Sequence, residues 1–264
     1  MPVAQELFKF IIGVKGATIK RIQSETKARI IVRDTIEIVG SAEEVSAATQ
    51  QIQQIVDART QNSPYTHFLS LPISDVGVQQ RVGEFQNTIL SEFLPDVNSS
   101  SLIDTAKLHI TICMLRLSND EEIAEAVKLL QSLQAEVDDI LCGQPLVIKL
   151  GGLAVMEADQ ERARVIYTGA YDSGAEGDDR LVQVCNVVRG VFDKAGFIDE
   201  KRELRIHVTV LKSSTRLRFN ATQLLNSHED LSLGTCHIGC IEIARRFRYT
   251  ESGAYDNDGS LPLP

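Results

Sequence analysis

Several residue types are scarce or missing in this chain of 264 residues. It has no tryptophan, and aromatic residues make up 5% of it, which argues against a broad aromatic platform for nucleobases. Its five cysteines include no C-x-x-C pair, which is typical of free thiols in a reducing compartment. No stretch approaches 18 consecutive apolar residues, and no charged-then-apolar segment follows Met1. We therefore expect neither secretion nor a membrane span.

What is present is ordinary for a globular protein, with 43% hydrophobic and 24% charged residues. The charge is unevenly distributed. Residues 9–33 hold seven basic residues and one acidic residue, a net charge of +6, whereas residues 60–264 hold 19 basic and 29 acidic residues, a net charge of −10. A polyanion is therefore expected to dock first on the N-terminal segment.

The pattern His-x-Thr occurs twice, in residues 107–113 (KLHITIC) and in residues 204–210 (LRIHVTV). Both runs alternate apolar and polar residues, as a half-buried strand does. In each run the histidine shares its strand face with the threonine and with a basic residue two positions earlier. These residues are Lys107, His109 and Thr111 in the first run, and Arg205, His207 and Thr209 in the second.

Two histidines suit the cleavage of a phosphodiester. One imidazole can take a proton from the attacking oxygen while the other protonates the leaving oxygen, because histidine changes charge near neutral pH. A threonine hydroxyl about 7 Å along the same strand face can bind a phosphate oxygen. A single strand histidine is usually structural, but the duplication favours a paired catalytic site. This chemistry requires no metal and no cofactor.

The stretches LHITI (108–112) and IHVTV (206–210) resemble the paired motifs of the two-histidine (2H) phosphoesterases. That family includes RNA 2′,3′-cyclic phosphodiesterases and the RNA-ligase-like LigT proteins. The resemblance implies two pseudo-symmetric α/β lobes, each supplying one His-x-Thr strand to a central groove, and metal-independent cleavage. Which histidine is the base stays open, as does the choice among 2′,3′-cyclic, 2′-5′ and 3′-5′ bonds.

A second motif lies near the N-terminus, where residues 10–22 read FIIGVKGATIKRI and resemble the Ile-Gly-x-x-Gly core of a KH domain. Its glycines let the loop approach a nucleic-acid backbone, and the following helix directs its N-terminal amides toward phosphate. A plain turn between helices is the alternative, and the local charge favours RNA binding. The predicted contacts with single-stranded RNA are Gly13, Val14, Lys15, Gly16, Lys20 and Arg21.

The residues after this loop predict strands at 28–32 and 35–39 and an amphipathic helix at 42–57. That order is typical of a eukaryotic KH domain. A complete KH domain would begin with a strand, but residues 5–10 predict a helix. We therefore expect a truncated or reduced KH module, with weaker affinity for RNA than the motif alone would give.

The predicted fold class is α+β, with a small KH-like module at residues 1–59 and a two-lobed, pseudo-symmetric 2H phosphoesterase domain at residues 65–264. A short linker at residues 60–64 is inferred from a polar run that ends in proline. Further predictions for the domain are helices at 76–94, 121–141 and 180–194, and strands at 66–69, 146–154 and 164–170.

A KH-like module joined to a 2H domain resembles a subunit of nuclear complexes that contain a helicase and act in transcription coactivation and DNA repair. The resemblance implies a nuclear location, protein partners from such a complex, and no membrane association. The favoured function is an RNA-directed phosphodiesterase that cleaves terminal or cyclic phosphodiesters. The alternative is a catalytically silent subunit whose groove only binds RNA or a nucleotide.

Two tyrosines near the C-terminal strands, Tyr249 and Tyr255, are candidates for stacking on a base. Lys107 and Arg205 are candidates for the cations that line the groove. Phe247 is assigned to the core.

Residues 236–240, CHIGC, do not predict a metal site, because the two cysteines and the histidine would point to opposite faces of a strand. Cys113 continues the alternation beyond Thr111 and is expected on the face of His109, where a packing role is favoured. His67, in the strand that opens the domain, is expected to be structural rather than a third imidazole in the groove.

Overall fold

The computed structural model describes residues 3, 5–62, 64–94, 97–174, 179–200, 202–214 and 217–264. Two compact units divide the chain. One reaches to Pro64 and includes residues 118–120, and the other comprises residues 65–117 and 121–264. Among the helices in the described ranges, none combines the length and apolarity needed to span a bilayer.

The N-terminal unit has three helices and a two-stranded antiparallel sheet. In chain order these are Phe8–Ile12 (α1), Ala17–Thr26 (α2), Arg29–Val32 (β1), Ile36–Val39 (β2) and Ala42–Asn62 (α3). The order of elements predicted for a KH-like module is therefore confirmed. Its core is built from apolar side chains that each element turns inward, and Ile11, Ile22, Ile36 and Ile52 are fully buried there.

Two details of this unit bear on the KH prediction. The segment ahead of the glycine loop is a short 3-10 turn, Gln5–Leu7, that runs into α1, so the leading strand of a complete KH domain is absent from residues 3 and 5–62. Helix α3 continues to Asn62 rather than ending at residue 57, since no glycine or proline interrupts the sequence before Pro64.

The second unit is an eight-stranded sheet with helices. Its strands are His67–Pro72 (β3), His109–Leu115 (β4), Val147–Val155 (β5), Val165–Asp172 (β6), His207–Lys212 (β7), Ser232–His237 (β8), Cys240–Tyr249 (β9) and Tyr255–Pro262 (β10). The helices that follow Pro64 are Val76–Thr88 (α4), Asp120–Gln131 (α5), Gln134–Leu141 (α6), Arg180–Lys194 (α7) and Thr222–Ser227 (α8). Short helical turns are Ile89–Phe93, Ser99–Ser101, Thr105–Lys107 and Gln160–Arg162.

The strands lie in the order β10-β9-β3-β4-β7-β6-β5-β8, and every neighbouring pair is antiparallel. The sheet therefore has two halves of four strands each, which meet where β4 pairs with β7. The first half is β10-β9-β3-β4, and the second is β7-β6-β5-β8. This arrangement confirms the predicted α+β class with two pseudo-symmetric lobes.

Helices α4 and α7 occupy matching places in the two halves. Each begins after an aspartate whose side chain accepts a hydrogen bond from a backbone N–H of the first turn, Asp75 from Val78 at 2.8 Å and Asp179 from Val182 at 3.2 Å. Helix α7 packs against β4 and β6, and α4 packs against β7 and β8. Each helix therefore reaches the central strand of the opposite half.

The single helix predicted for residues 121–141 is wrong, because the structure has two. Helix α5 ends at Gln131, and α6 begins at Gln134. At the break, the Ser132 hydroxyl donates to the Leu129 carbonyl at 2.7 Å. Serine competes in this way with the helical hydrogen bonds of the backbone.

Candidate active site and nucleic-acid loop

The two His-x-Thr strands lie side by side at the centre of the sheet. Strands β4 and β7 pair with Ile110 opposite Val208. Extending this register by one residue in each direction places His109 opposite Thr209, and Thr111 opposite His207. Side chains opposite each other on one face have Cβ atoms about 5 Å apart. The four predicted catalytic residues therefore flank this bridge on one face of the sheet, and His207 lies near enough to His109 for its charge to lower the His109 pKa.

Both imidazoles are fixed in the same way. Nδ1 of His109 lies 2.7 Å from the Lys107 carbonyl oxygen, and Nδ1 of His207 lies 2.7 Å from the Arg205 carbonyl oxygen. A carbonyl oxygen can only accept, so each Nδ1 carries the proton and donates it. In the neutral imidazole this leaves Nε2 with its lone pair, which is the atom that a proton-transfer step requires.

Burial lowers the pKa of both histidines from the ordinary value of about 6.5. For His109, the hydrogen bond to the Lys107 carbonyl opposes this shift, while the positive charges of His207 and Lys212 lower the pKa further. For His207, the bond to the Arg205 carbonyl opposes the shift, and the Arg205 charge adds to it. The neutral imidazoles are therefore favoured at neutral pH.

Aromatic rings surround His109. The Phe68 ring centroid lies 4.9 Å from that of the imidazole, and Tyr255 meets the imidazole edge to face at 5.4 Å. Tyr249 lies 5.5 Å from Tyr255, and Lys107 Nζ lies 4.0 Å from the centre of the Tyr249 ring. The predicted groove residues Lys107, Tyr249 and Tyr255 are thus brought together beside His109.

The surroundings of His207 are simpler. Tyr167 meets the His207 ring edge to face at 5.1 Å, and the Arg205 guanidinium carbon lies 5.9 Å from the centre of the Tyr167 ring. Arg205 Nη1 also lies 3.4 Å from the Met156 sulfur. The predicted cation Arg205 is therefore beside the second histidine, next to an aromatic ring that sequence analysis missed.

A β-bulge follows each His-x-Thr motif. In β4 the register with β3 shifts between Thr111 and Cys113, so Ile112 is the extra residue. In β7 the register with β6 shifts between Thr209 and Leu211, so Val210 is the extra residue. The two central strands therefore bend at equivalent points, directly after the threonines.

The bulges overturn the expected position of Cys113 and reveal a further cation. Because the bulge interrupts alternation, Cys113 turns into the core, where it is 1% exposed and burial raises the pKa of its thiol to about 12.

In β7 the same shift leaves Lys212 exposed after two buried residues, on the face of Thr209. Its positive charge contributes to the lowered pKa of His109, so Lys212 is a further candidate cation for the groove.

Sequence reasoning missed Phe68, Tyr167 and Lys212. Phe68 and Tyr167 belong to strands adjacent to the central pair, and the pairing partner of Tyr167 is Thr209. The registers of β3 with β4 and of β6 with β7 would have predicted both rings beside the site. These registers depend on tertiary pairing, which the sequence alone does not give. Lys212 is found only once the bulge is known.

The assignment of Phe247 to the core is wrong, because its side chain is 71% exposed and lies beside Arg246. It belongs to a stretch of β9 between the partners Ala244 and Tyr249, where the register with β10 is irregular.

His67 has the structural role expected of it. Its Nε2 lies 2.9 Å from Asp258 Oδ2, and its Nδ1 lies 2.8 Å from Thr66 Oγ1. Residues 236–240 hold no clustered ligand set, since Cys236 is buried with its pKa raised to about 11 and His237 donates to the Pro264 carbonyl at 2.7 Å. No group of three metal-ligating side chains occurs among the described residues.

The glycine loop of the N-terminal unit has the backbone geometry that glycine permits. Gly13 and Gly16 have φ of 72° and 79°, in the region that side chains with a Cβ disfavour. A Cβ on Gly13 would clash with the Thr18 side chain. Between the glycines, Val14 is 83% exposed, and Lys15 also has a positive φ, of 50°. The loop therefore presents two side chains to solvent just before α2 begins.

The two basic residues predicted on α2 differ in their surroundings. Lys20 is exposed on the first turns of the helix. Arg21 forms an exposed ion pair with Glu25 at 2.8 Å and a longer contact with Gln51 at 3.5 Å. Because Glu25 offsets the charge of Arg21, Lys15 and Lys20 are the better placed cations for a phosphate at this loop.

Comparisons with known proteins agree with the geometry of both units. The model of the family described as the AKAP7 2′5′ RNA ligase-like domain matches residues 65–263, and that of the KH domain matches residues 1–54. The chain belongs to the AKAP7 2′5′ RNA ligase-like family and has a KH domain joined to a LigT-like 2H phosphoesterase fold.

Among individual relatives, activating signal cointegrator 1 complex subunit 1 of Mus musculus is 28% identical over 97% of this chain and 80% of its own length. Two solved structures share the fold. Protein TT0787 of Thermus thermophilus has a TM-score of 0.53 and 14% identity, over 75% of this chain and 97% of its own. LigT of E. coli in complex with 3′-AMP has a TM-score of 0.52 and 14% identity, over 76% of this chain and 99% of its own.

The lowered pKa values of the two catalytic candidates predict a direct observation. When imidazole signals are followed by NMR between pH 4 and 9, His109 and His207 should each titrate below the value of about 6.5 seen in unfolded chains, because burial disfavours the charged ring. The urea-unfolded protein is the reference. Titration of either ring above 6.5 in the folded protein would contradict the buried, neutral arrangement.

Proposed function

We propose that this chain is a metal-independent RNA phosphodiesterase in which His109 and His207 act as general acid and general base. The observation that carries the proposal is the paired orientation of the two imidazoles. They lie on adjacent strands, each with Nδ1–H held by a backbone carbonyl, so that both Nε2 atoms are available to one phosphate. Membership of a phosphoesterase family supports the same reaction class.

In the proposed reaction, one imidazole starts neutral and takes the proton of the attacking hydroxyl or water at Nε2, while the other starts protonated and gives its Nε2 proton to the leaving oxygen. The hydroxyls of Thr111 and Thr209 donate to the non-bridging oxygens of the phosphate, where negative charge develops. The pseudo-symmetry of the halves permits either histidine to be the base. The substrate class is an RNA with a terminal or cyclic phosphodiester.

We propose that single-stranded RNA is held by the glycine loop of the N-terminal unit. Support comes from the exposed side chains of Val14 and Lys15, the positive φ angles of the flanking glycines, and the net charge of +6 over residues 9–33. The first-turn amides of α2 follow this loop and favour an anion. The KH family match agrees with this role.

We further propose that the chain works in the nucleus, as a subunit of a helicase-containing coactivator and DNA-repair complex. The support is its likeness to a mouse protein named as a complex subunit. Affinity purification of the tagged chain from nuclear and cytoplasmic extracts tests this proposal. Recovery of stoichiometric helicase from the nuclear fraction is expected, and recovery of the chain alone, from cytoplasm, would argue against it.

The central test of turnover uses short single-stranded RNAs ending in a 2′,3′-cyclic phosphate, or containing a 2′-5′ or a 3′-5′ linkage, with EDTA present. We expect the wild-type chain to cleave at least one of them. His109→Ala and His207→Ala should each lower kcat by about 100- to 10,000-fold, because each removes one proton-transfer group.

The matched control is His237→Ala, which removes an exposed histidine whose ring meets the Pro264 carbonyl. It should retain wild-type turnover. If the wild-type chain binds these RNAs and cleaves none of them, the enzyme proposal fails and the chain is a binding subunit.

A charge reversal at the glycine loop tests RNA binding independently of turnover. Val14→Asp combined with Lys15→Asp should weaken the affinity for single-stranded RNA by about 10-fold or more, since the new carboxylates repel phosphate at close range. Fluorescence anisotropy at fixed salt gives the dissociation constants. Arg33→Asp with Val39→Asp changes the net charge equally at two exposed positions outside residues 13–16. An equal loss in both double variants would leave the loop with no specific role.

The tyrosine beside Lys107 is expected to bind a base rather than to take part in proton transfer. Tyr249→Ala should raise KM for an oligonucleotide by about 5-fold or more, the range for loss of one stacking contact, with kcat little changed. Tyr249→Phe is the control, since it keeps the ring that would stack on the base and removes only the hydroxyl. A fall in kcat with KM unchanged would contradict a stacking role.

A further inference from the structure

The extra residue of each bulge leaves a backbone carbonyl to be satisfied outside the regular ladder. These carbonyls belong to Ile112 in β4 and Val210 in β7, each directly after a threonine of the candidate site. Both side chains are buried, at 1% and 0% exposure. The hydrogen bonds that these two carbonyls accept therefore fix the path of the strand one peptide from each threonine.

Gln86 of helix α4 satisfies the carbonyl of Val210. Its Nε2 donates to the Val210 oxygen at 2.8 Å and to the Ile103 oxygen at 2.7 Å. The backbone N–H of Ile103 donates to the same Val210 oxygen at 3.0 Å. Gln86 is 4% exposed, so its amide is a buried polar group whose donors are both used.

Arg189 of helix α7 does the same for the carbonyl of Ile112. Its Nη1 donates to the Ile112 oxygen at 3.1 Å, and its Nη2 donates to the Arg202 oxygen at 2.6 Å. Glu200 holds the guanidinium from the other side at 3.3 Å, with both side chains mostly buried, at 17% and 13% exposure. The guanidinium is therefore fixed by three partners.

Each of the two residues belongs to one half of the sheet and binds a carbonyl of the other half. Gln86 follows β3 of the first half and holds β7 of the second, while Arg189 follows β6 of the second half and holds β4 of the first. We propose that Gln86 and Arg189 are positioning residues, which hold Thr209 and Thr111 respectively in the geometry that binds the phosphate. This inference rests on the proposed function of the groove and extends it to two residues outside the His-x-Thr motifs.

The physical reason lies in the bend that a bulge makes. A bulged strand has a locally raised twist, and the orientation of the preceding side chain depends on how the bulge is held. Without Gln86 the Val210 carbonyl keeps the Ile103 N–H but loses its side-chain donor, and without Arg189 the Ile112 carbonyl loses the guanidinium, so each strand can shift at its bulge. A displacement of about 1 Å at a group that contacts the transition state can cost on the order of 100-fold in rate.

The test compares Gln86→Leu and Arg189→Met with variants of the same residue types on the same helices. Gln79→Leu removes a similar bond from α4, in which Nε2 donates to the Ile73 carbonyl at 2.9 Å. Arg180→Met removes a buried ion pair with Asp172, at 2.7 Å, from α7. We expect kcat to fall about 10-fold or more in Gln86→Leu and in Arg189→Met, with KM little changed. The controls should lose thermal stability without this fall in kcat.

Double-mutant cycles give a readout that a general loss of stability would not give. Gln86→Leu should lower kcat by less than about twofold once Thr209 is replaced by valine, but by its full amount in Thr111→Val. Arg189→Met should show the reverse dependence. Arg189→Lys keeps a donor and a charge, so it should recover part of the loss and serves if Arg189→Met does not fold.

The same double-mutant cycles are repeated with the dissociation constant for an RNA that ends in a 3′-phosphate as the measured quantity. This constant reports on the groove whether or not turnover occurs. If the wild type turns over nothing, the proposed function fails, but selective coupling in binding would still support the positioning roles. The inference is overturned if each variant combines equally with both threonine variants, or if its kcat falls only as far as that of its control.

Discussion

The pairing of β4 with β7, with Ile110 opposite Val208, is the contact on which the rest of the second unit depends. A slip of one residue would turn the histidines toward the core and the apolar side chains toward the groove. Ile110, Val208 and Val210 are fully buried, and burial of each such side chain is worth about 1.5–3 kcal/mol. The hydrophobic effect therefore selects the register, and the register brings the polar residues of the site together.

The sequence predicts those features that depend on neighbouring residues in the chain. Alternation alone places His109 and Thr111 on one face, because the period of a strand is two residues. Helix α7 has its predicted bounds of 180 and 194, since Asp179 supplies a recognisable cap and the apolar residues repeat at helical spacing. The order of elements in the KH-like unit follows from similar local patterns.

Features that depend on pairing between distant segments could not be predicted in this way. Alternation predicts Cys113 on the groove face, but the bulge at Ile112 turns it inward. Tyr167 enters the site because β6 pairs with β7, and Phe247, in a stretch of β9 whose register with β10 is irregular, is exposed. Bulges and irregular pairing leave no periodic signal, since one inserted residue looks the same as ordinary strand sequence.

The net charge of −10 over residues 60–264 is compatible with an anionic substrate because electrostatic effects in water act over short distances. At physiological ionic strength the screening length is about 8 Å, so carboxylates spread over the surface act weakly on a phosphate between the histidines. Lys107 and Arg205 lie beside the rings that flank the two histidines, and Lys212 lowers the pKa of His109, although Asp104 lies 3.3 Å from Lys107 and offsets part of its charge. The charges beside the histidines, rather than the net charge of residues 60–264, therefore determine the field at the position of the proposed phosphate.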